Sequence, residues 1–220
     1  IYEPGSTFKP FVWSVITELG LGKPGEVFDT EGGTWRTSYG RSVQDVTRRQ
    51  QMTWTEVLIN SSNIGMVKAA ERLTYQQLRD AALRFGFGKR TGLGLPGESA
   101  GRVTSAGNWG KYTQTSVAYG HEVSVTPVQM VRAFAAFARP GELAGTLPTL
   151  RMTAALTEDA RVTYRVLPPD VALLTRRTLA GVAANMERRL ELDVPGETGW
   201  RYPIFGKSGT AEIPLGKAPQ

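Results

Sequence analysis

The sequence predicts an α+β domain, on three observations. Helical periodicity dominates the middle of the chain, strand-like material gathers toward its end, and glycines punctuate the boundaries between them. In residues 7–19 the apolar positions Phe8, Phe11, Val12, Val15, Ile16 and Leu19 recur at helical spacing, and Gly20 and Gly22 stop the run. Pro10 lacks an N–H and clashes with the carbonyl four residues back, so it fits only a first turn; the helix must start close to Ser6. Residues 24–45 are rich in Gly, Thr, Ser and Asp and read as irregular surface structure with short extended pieces. Residues 53–73 read as helical, interrupted at Asn60-Ser61-Ser62-Asn63, where small polar side chains favour a cap or turn. Residues 75–85 form a further helix closed by Gly86 and Gly88, and TGLGLPGESAG at 91–101 is turn-forming. Residues 115–120 lead into HEVSVTP, 128–138 is an amphipathic helix, 143–164 carries strand-like pieces, and 169–190 is a long helix. The last stretch, 202–213, reads as an apolar approach, Lys207-Ser208-Gly209-Thr210, and an extended continuation. There is no internal repeat and no low-complexity linker.

Composition narrows the class. At 220 residues the chain can bury a proper core, and its 40% hydrophobic and 21% charged residues are ordinary for a soluble globular domain. No apolar run approaches the roughly 18 residues that a membrane span needs. The chain opens on Ile1, inside a motif, which leaves room for an anchor, signal or further domain upstream. The absence of cysteine removes disulfides, thiolate metal sites and cysteine nucleophiles, and fits an exported domain. A net charge of +6 and a pI near 9.7 would suit nucleic acid. The basic residues are dispersed, however, in pairs such as Arg48-Arg49, Arg176-Arg177 and Arg188-Arg189 with no interleaved aromatics, so solvated helix faces are expected and nucleic acid is not.

Three short clusters carry chemistry. Ser6 and Lys9 stand three apart at a helix start, so hydroxyl and amine share a face. A serine hydroxyl is a poor nucleophile without a base, and a lysine serves as one only if its pKa falls far below about 10.4. Partial burial and a helix N-terminus both disfavour the protonated amine, and the same terminus offers an N–H to a developing oxyanion. On its own, S-x-x-K reads as a capped, solvent-facing turn. Ser61 and Asn63 project a hydroxyl and an amide from one interhelical turn, able to relay a proton and hydrogen-bond a substrate amide; alone they read as a helix cap. On an extended strand Lys207 and Gly209 share one side, Ser208 and Thr210 the other. The glycine leaves room for a substrate backbone, Lys207 and Ser208 could hold a carboxylate, and an N–H near Thr210 could complete an oxyanion hole. Alone, this is an exposed edge strand.

In this order, S-x-x-K, S-x-N and K-[ST]-G are the signature of penicillin-binding proteins and class A β-lactamases. The chain resembles the transpeptidase domain of a class B penicillin-binding protein in YEPGSTFKPF, NSSNIG, FGFGKRTGLGLPGESAG, YGHEVSVTPVQM and FGKSGTAE, which run from Tyr2 to Glu212. The resemblance implies the fold shared with serine β-lactamases, an antiparallel sheet packed with a helical subdomain. Residues 1–220 would be a single partial domain, incomplete at both ends, because the family has further strands and a C-terminal helix after K-[ST]-G and an anchor and pedestal upstream. It implies Ser6 as acylated nucleophile, Lys9 as general base, Ser61 as proton relay and Asn63 as a hydrogen-bond partner of the substrate amide. Lys207 and Ser208 would orient the terminal carboxylate, and the N–H groups of Ser6 and Thr210 would form the oxyanion hole. The implied substrate is a peptidoglycan stem peptide ending in D-Ala-D-Ala, cross-linked through an acyl-enzyme. β-Lactams would acylate the same serine, and no metal or organic cofactor is implied. The implied partners are a glycosyltransferase and other wall-synthesis proteins, at the outer face of the bacterial cytoplasmic membrane. KSG stands here where KTG is commoner; serine keeps the hydroxyl. GHEVSVTPVQM is more similar to the division (septal) branch than to the elongation branch. Two other readings remain open: a β-lactam-hydrolysing or β-lactam-sensing relative, for which Glu98 or Glu122 would have to deacylate, and a catalytically silent scaffold. His121, the only histidine, follows Gly120 in a turn and reads as structural.

Overall fold

The computed structural model describes residues 1–150, 164–193, 200 and 202–209. A 3₁₀ turn at Gly5–Phe8 runs straight into α1 (Lys9–Glu18), with Pro10 in the first turn as the sequence requires. Every residue from Lys9 to Ile16 is buried, so α1 has no solvent-facing side through its first two turns. A helix enclosed all round belongs at the centre of a fold. Around it pack α2 (Trp54–Ile59), α3 (Asn63–Ala70), α4 (Tyr75–Arg84) and α7 (Pro169–Asp193); α5 (Lys111–Ala118) packs on α3 and α4, and α6 (Pro127–Ala138) on α7.

Two aromatic groups fix α1 in place. Phe8 and Phe11 join Phe85, Phe87, Phe134 and Phe137 in a cluster with ring centroids 4.9–6.1 Å apart. On another side Trp13 stacks on Trp54 at 5.6 Å and donates its indole N–H to the Trp54 carbonyl at 2.9 Å. Each such ring pair adds about 0.5–1.5 kcal/mol beyond area burial. The Gly5–Phe8 turn that carries Ser6 is thereby seated on packed core rather than on a loop.

The strands are short antiparallel pairs: β1 (Val27–Asp29) with β4 (Gln51–Thr53), β2 (Thr34–Arg36) with β3 (Ser42–Gln44), β5 (Arg102–Val103) with β6 (Val123–Ser124), and β7 (Thr146–Leu147) with β8 (Tyr164–Arg165). The first four lie in the stretch read as irregular and the residues just after it. Capping boxes start α2 (Thr53 with Glu56), α4 (Thr74 with Gln77) and α6 (Thr126 with Gln129).

Two differences from the sequence reading stand out. Helix α5 escapes pattern reading because its buried face is polar: Thr113, Gln114, Thr115 and Ser116 are all buried. Gln114 satisfies its amide on the carbonyls of Ala70 and Leu73 at 2.9 and 3.2 Å. The extended strand expected around Lys207 has no strand pairing among the described residues; 203–209 is irregular, with Phe205 packed against the core and a long bond from Gly206 N–H to Leu179 O of α7 at 3.5 Å. Thr210 and the continuation to 213 lie outside the described residues, as do 151–163 within the strand-like stretch.

Candidate active site

The site is built on the junction of α2 and α3. Helix α2 ends in a Schellman turn: Ser62 N–H bonds Val57 O at 2.9 Å and Ser61 N–H bonds Leu58 O at 3.3 Å. That motif needs a left-handed residue, normally glycine, and here it is Ser61 with φ +60°. A side chain in this conformation costs about 1–2 kcal/mol, so the hydroxyl is retained against a backbone preference. Ser62 then caps α3, its Oγ accepting from Gly65 N–H at 2.9 Å. Gly65 lets the helices close, because a Cβ there would meet Val57 Cγ2 at 2.4 Å.

This turn presents its polar atoms to Lys9. The fully buried Nζ of Lys9 donates to Ser61 O at 2.6 Å, Ser61 Oγ at 3.1 Å and Asn63 Oδ1 at 2.7 Å. Burial pushes the Lys9 pKa well below the ordinary lysine value; the positive charge of Lys207 lowers it further and Asp45 acts in the opposite direction. The first and second clusters are thus in direct contact. Ser6 lies half-buried in the 3₁₀ turn, one turn before Lys9, whose own N–H bonds Ser6 O. Ser6 N–H falls in the first turn, where no intrahelical acceptor is available.

The third cluster joins from the far end of the chain. Gly209 lies against the Gly5–Phe8 turn: a Cβ on it would sit 2.8 Å from Thr7 Cγ2 and 3.4 Å from Pro4 O. Ser208 is exposed, and Lys207 Nζ donates to Ser208 O at 2.9 Å. Partial burial lowers the Lys207 pKa to about 8.

Several residues that hold this arrangement escaped the sequence reading. The buried Asp45 accepts from Ser62 Oγ at 2.5 Å, Asn63 N–H at 2.5 Å and Ile64 N–H at 3.0 Å, and Gln44 O takes the Asn63 side-chain N–H at 2.7 Å. Glu3 accepts from Glu122 N–H at 3.0 Å and meets His121 Nδ1 at 2.9 Å. His121 is thus tied to the segment before Ser6. Arg41 donates to Tyr112 O, Ser116 Oγ and the Tyr119 hydroxyl at 2.7–2.8 Å, and Ser116 Oγ passes the contact to Glu122 at 2.7 Å. Both the segment before Ser6 and the loop before Asp45 are so tied to residues 112–122. Glu122 is engaged there, and Glu98 accepts from the backbone and hydroxyl of Thr91 within its own loop. Among the described residues no cluster of acidic or histidine side chains could hold a metal ion, and no helix is long and apolar enough to cross a membrane.

Residues 1–218 match the family model of the penicillin-binding protein transpeptidase domain, and the chain belongs to that family. Among curated relatives it is 32% identical over 98% of its length to the probable peptidoglycan D,D-transpeptidase PbpC of Pseudomonas aeruginosa, covering 36% of that protein. It is 30% identical over 96% of its length to the penicillin-binding protein PbpB of Mycobacterium tuberculosis, covering 32% of it. The chain thus spans about a third of the length of these relatives. The transpeptidase domain of Burkholderia pseudomallei penicillin-binding protein 3 superposes with a TM-score of 0.84 at 28% identity, over 100% of this chain and 63% of that one.

Proposed function

We propose that this chain carries the acylation machinery of a peptidoglycan D,D-transpeptidase. The observation that supports this most directly is the buried Lys9 amine, one turn from Ser6, gathered by Ser61 and Asn63. Two of its acceptors are carbonyl oxygens, which can only accept; the third is a hydroxyl, which can also donate. A neutral Lys9 therefore keeps two N–H bonds to the carbonyls and turns its lone pair toward a hydroxyl. That is the state a base needs, and the lowering of the Lys9 pKa by burial favours it.

The Ser6 oxygen attacks the penultimate D-Ala carbonyl as its proton passes to Lys9. The carbon–nitrogen bond to the terminal D-Ala then breaks, and Ser61 hands the proton from Lys9 to the leaving amine. An amine from a neighbouring stem peptide attacks the acyl-enzyme and forms the new amide. Its proton returns through Lys9, and Ser6 regains its hydroxyl. Asn63 has its amide N–H on Gln44 O and its carbonyl on Lys9, so it orients the base as well as facing substrate. Lys207 and Ser208 receive the terminal carboxylate, Gly209 leaves space for the peptide, and N–H groups of Ser6 and Thr210 hold the oxyanion. β-Lactams acylate Ser6 in the same way. The whole protein acts at the outer face of the cytoplasmic membrane through an anchor outside residues 1–220, alongside a glycosyltransferase and other wall-synthesis proteins, on the division branch. Mass spectrometry of the penicillin-labelled full-length protein tests the assignment: the adduct is expected on the peptide containing Ser6 and lost in Ser6→Ala. Label on any other residue overturns it.

The rate of acylation by an anionic penicillin should fall above pH about 8, as Lys207 loses the charge that holds the carboxylate. Stability should respond with the opposite sign. The unfolded chain keeps Lys207 protonated up to its ordinary value of 10.5, so between about 8 and 10.5 it binds more protons than the folded one. The Lys207 contribution to folding therefore improves with pH across that window while labelling declines. Rates and thermal midpoints measured on the same samples check this; a joint decline would mean that unfolding, not Lys207, causes the loss.

A further inference from the structure

We propose that Asp45 is the positioning residue of this site: its carboxylate locks the Ser61–Asn63 turn around Lys9 and supplies the negative charge behind the base. The inference rests on Lys9 acting as base, and the experiment below separates its failure from the failure of that reading.

The geometry is specific. Asp45 leaves the end of β3 with its own N–H fixed on Gly33 O at 3.0 Å, so its backbone cannot drift. One carboxylate oxygen takes the first two backbone N–H groups of α3, at 2.5 and 3.0 Å; the other takes the Ser62 hydroxyl at 2.5 Å. Those N–H groups have no intrahelical acceptor, and the helix N-terminus favours a negative charge. Ser62 is thereby held from two sides, by Asp45 and by Gly65 N–H. It is the neighbour of both residues that grip Lys9. A cap from within the helix would satisfy one or two donors; a carboxylate from another strand also sets where the turn stands relative to α1.

Asp45 makes no ion pair among the described residues and is only 7% exposed. All three of its donors are formally neutral. The charged groups that bear on Lys9 are Lys207, from the C-terminal segment, and Asp45, from the exit of β3. They act in opposite directions, so the charge of Asp45 partly offsets burial and Lys207 and keeps the Lys9 proton affinity from falling further. A base whose affinity fell too far would take the Ser6 proton poorly.

The test uses the full-length protein with Asp45→Asn and Asp45→Ala, following penicillin acylation of Ser6 against pH and the thermal midpoint. Asparagine keeps the shape and can still accept from both α3 N–H groups, but it removes the charge. The acidic limb of the acylation profile, where Lys9 must lose its proton, is expected to move down by about one pH unit. Alanine removes the clamp, and acylation is expected to drop about 100-fold as the turn loses its register. A purely structural cap would lower the midpoint in both variants without moving the limb. An unmoved limb in Asp45→Asn, with wild-type Ser6 labelling normally, overturns the inference whatever the midpoints do. Absence of label on wild-type Ser6 overturns the transpeptidase reading instead, and this inference with it.

Discussion

Lys9→Met in the full-length protein is expected to cut penicillin acylation of Ser6 by about 10²- to 10⁴-fold, the range by which a positioned base accelerates proton transfer. The fold should survive. Methionine matches the length of the buried stem that packs within α1, so the core keeps its volume. The substitution leaves Ser61 O and Asn63 Oδ1 without the N–H groups of the neutral amine, at about 1–3 kcal/mol for each acceptor that water cannot reach. Stability should therefore fall by about 2–4 kcal/mol, which a folded domain can sustain. Labelling rates together with denaturant unfolding decide the matter. Retention of acylation within tenfold would remove Lys9 from the base role, whereas collapse of the fold would show the amine to be chiefly structural. Lys9→Arg should be as inactive as Lys9→Met, because a guanidinium keeps its proton.

Gly120→Ala should be the most damaging glycine-to-alanine change among the described residues. Gly120 has φ +90°, and a Cβ on it would stand 2.0 Å from Gly5 O, in the residue before Ser6. The obstacle is backbone on both sides, so no rotamer change can relieve it. The chains must separate, which breaks the 3.0 Å bond from Gly5 N–H to Gly120 O and tilts the turn carrying Ser6. Left-handed strain and overpacking together should cost on the order of 3 kcal/mol. Displacement of the serine should cost a further ~100-fold in acylation, measured well below the unfolding midpoint. Gly107 has no atom within 4 Å of an added Cβ, so Gly107→Ala is the control and should be silent. Equal behaviour of the two variants would mean that the Gly5–Gly120 contact does not position the nucleophile.

Much of the site was legible because its residues lie where local chemistry marks them. Pro10 fixed the helix start, and the polar run at 60–63 announced a junction between two helices. The three clusters were readable as one site only through their order along the chain; the contact between Lys9 and Ser61–Asn63 is the physical counterpart of that order. What stayed hidden acts at long range. Asp45 sits 16 residues before Ser61, in a stretch with no period, and reads in sequence as one acid among many. Glu3 and Arg41 are recognisable only once folding brings residues 112–122 against them. Helix α5 was missed for the converse reason: four of its buried residues, Thr113 to Ser116, are polar, and their burial depends on partners supplied by other segments. Around Lys207 the extended geometry was foreseen as a strand, but a strand needs a neighbour, and the described residues offer none there.

The burial of α1 on every side has a consequence for how this protein can change. A serine on a surface loop could be re-aimed by altering the loop alone. Here Lys9 lies in the same packed interior as Phe11 and Trp13, with the half-buried Ser6 one turn before it, so a substitution that re-aims Lys9 also perturbs the core. Escape from an inhibitor therefore has little room at the point of attack. The fully exposed Val46, beside the buried Asp45, is free of that constraint, so a substitution there leaves the core undisturbed.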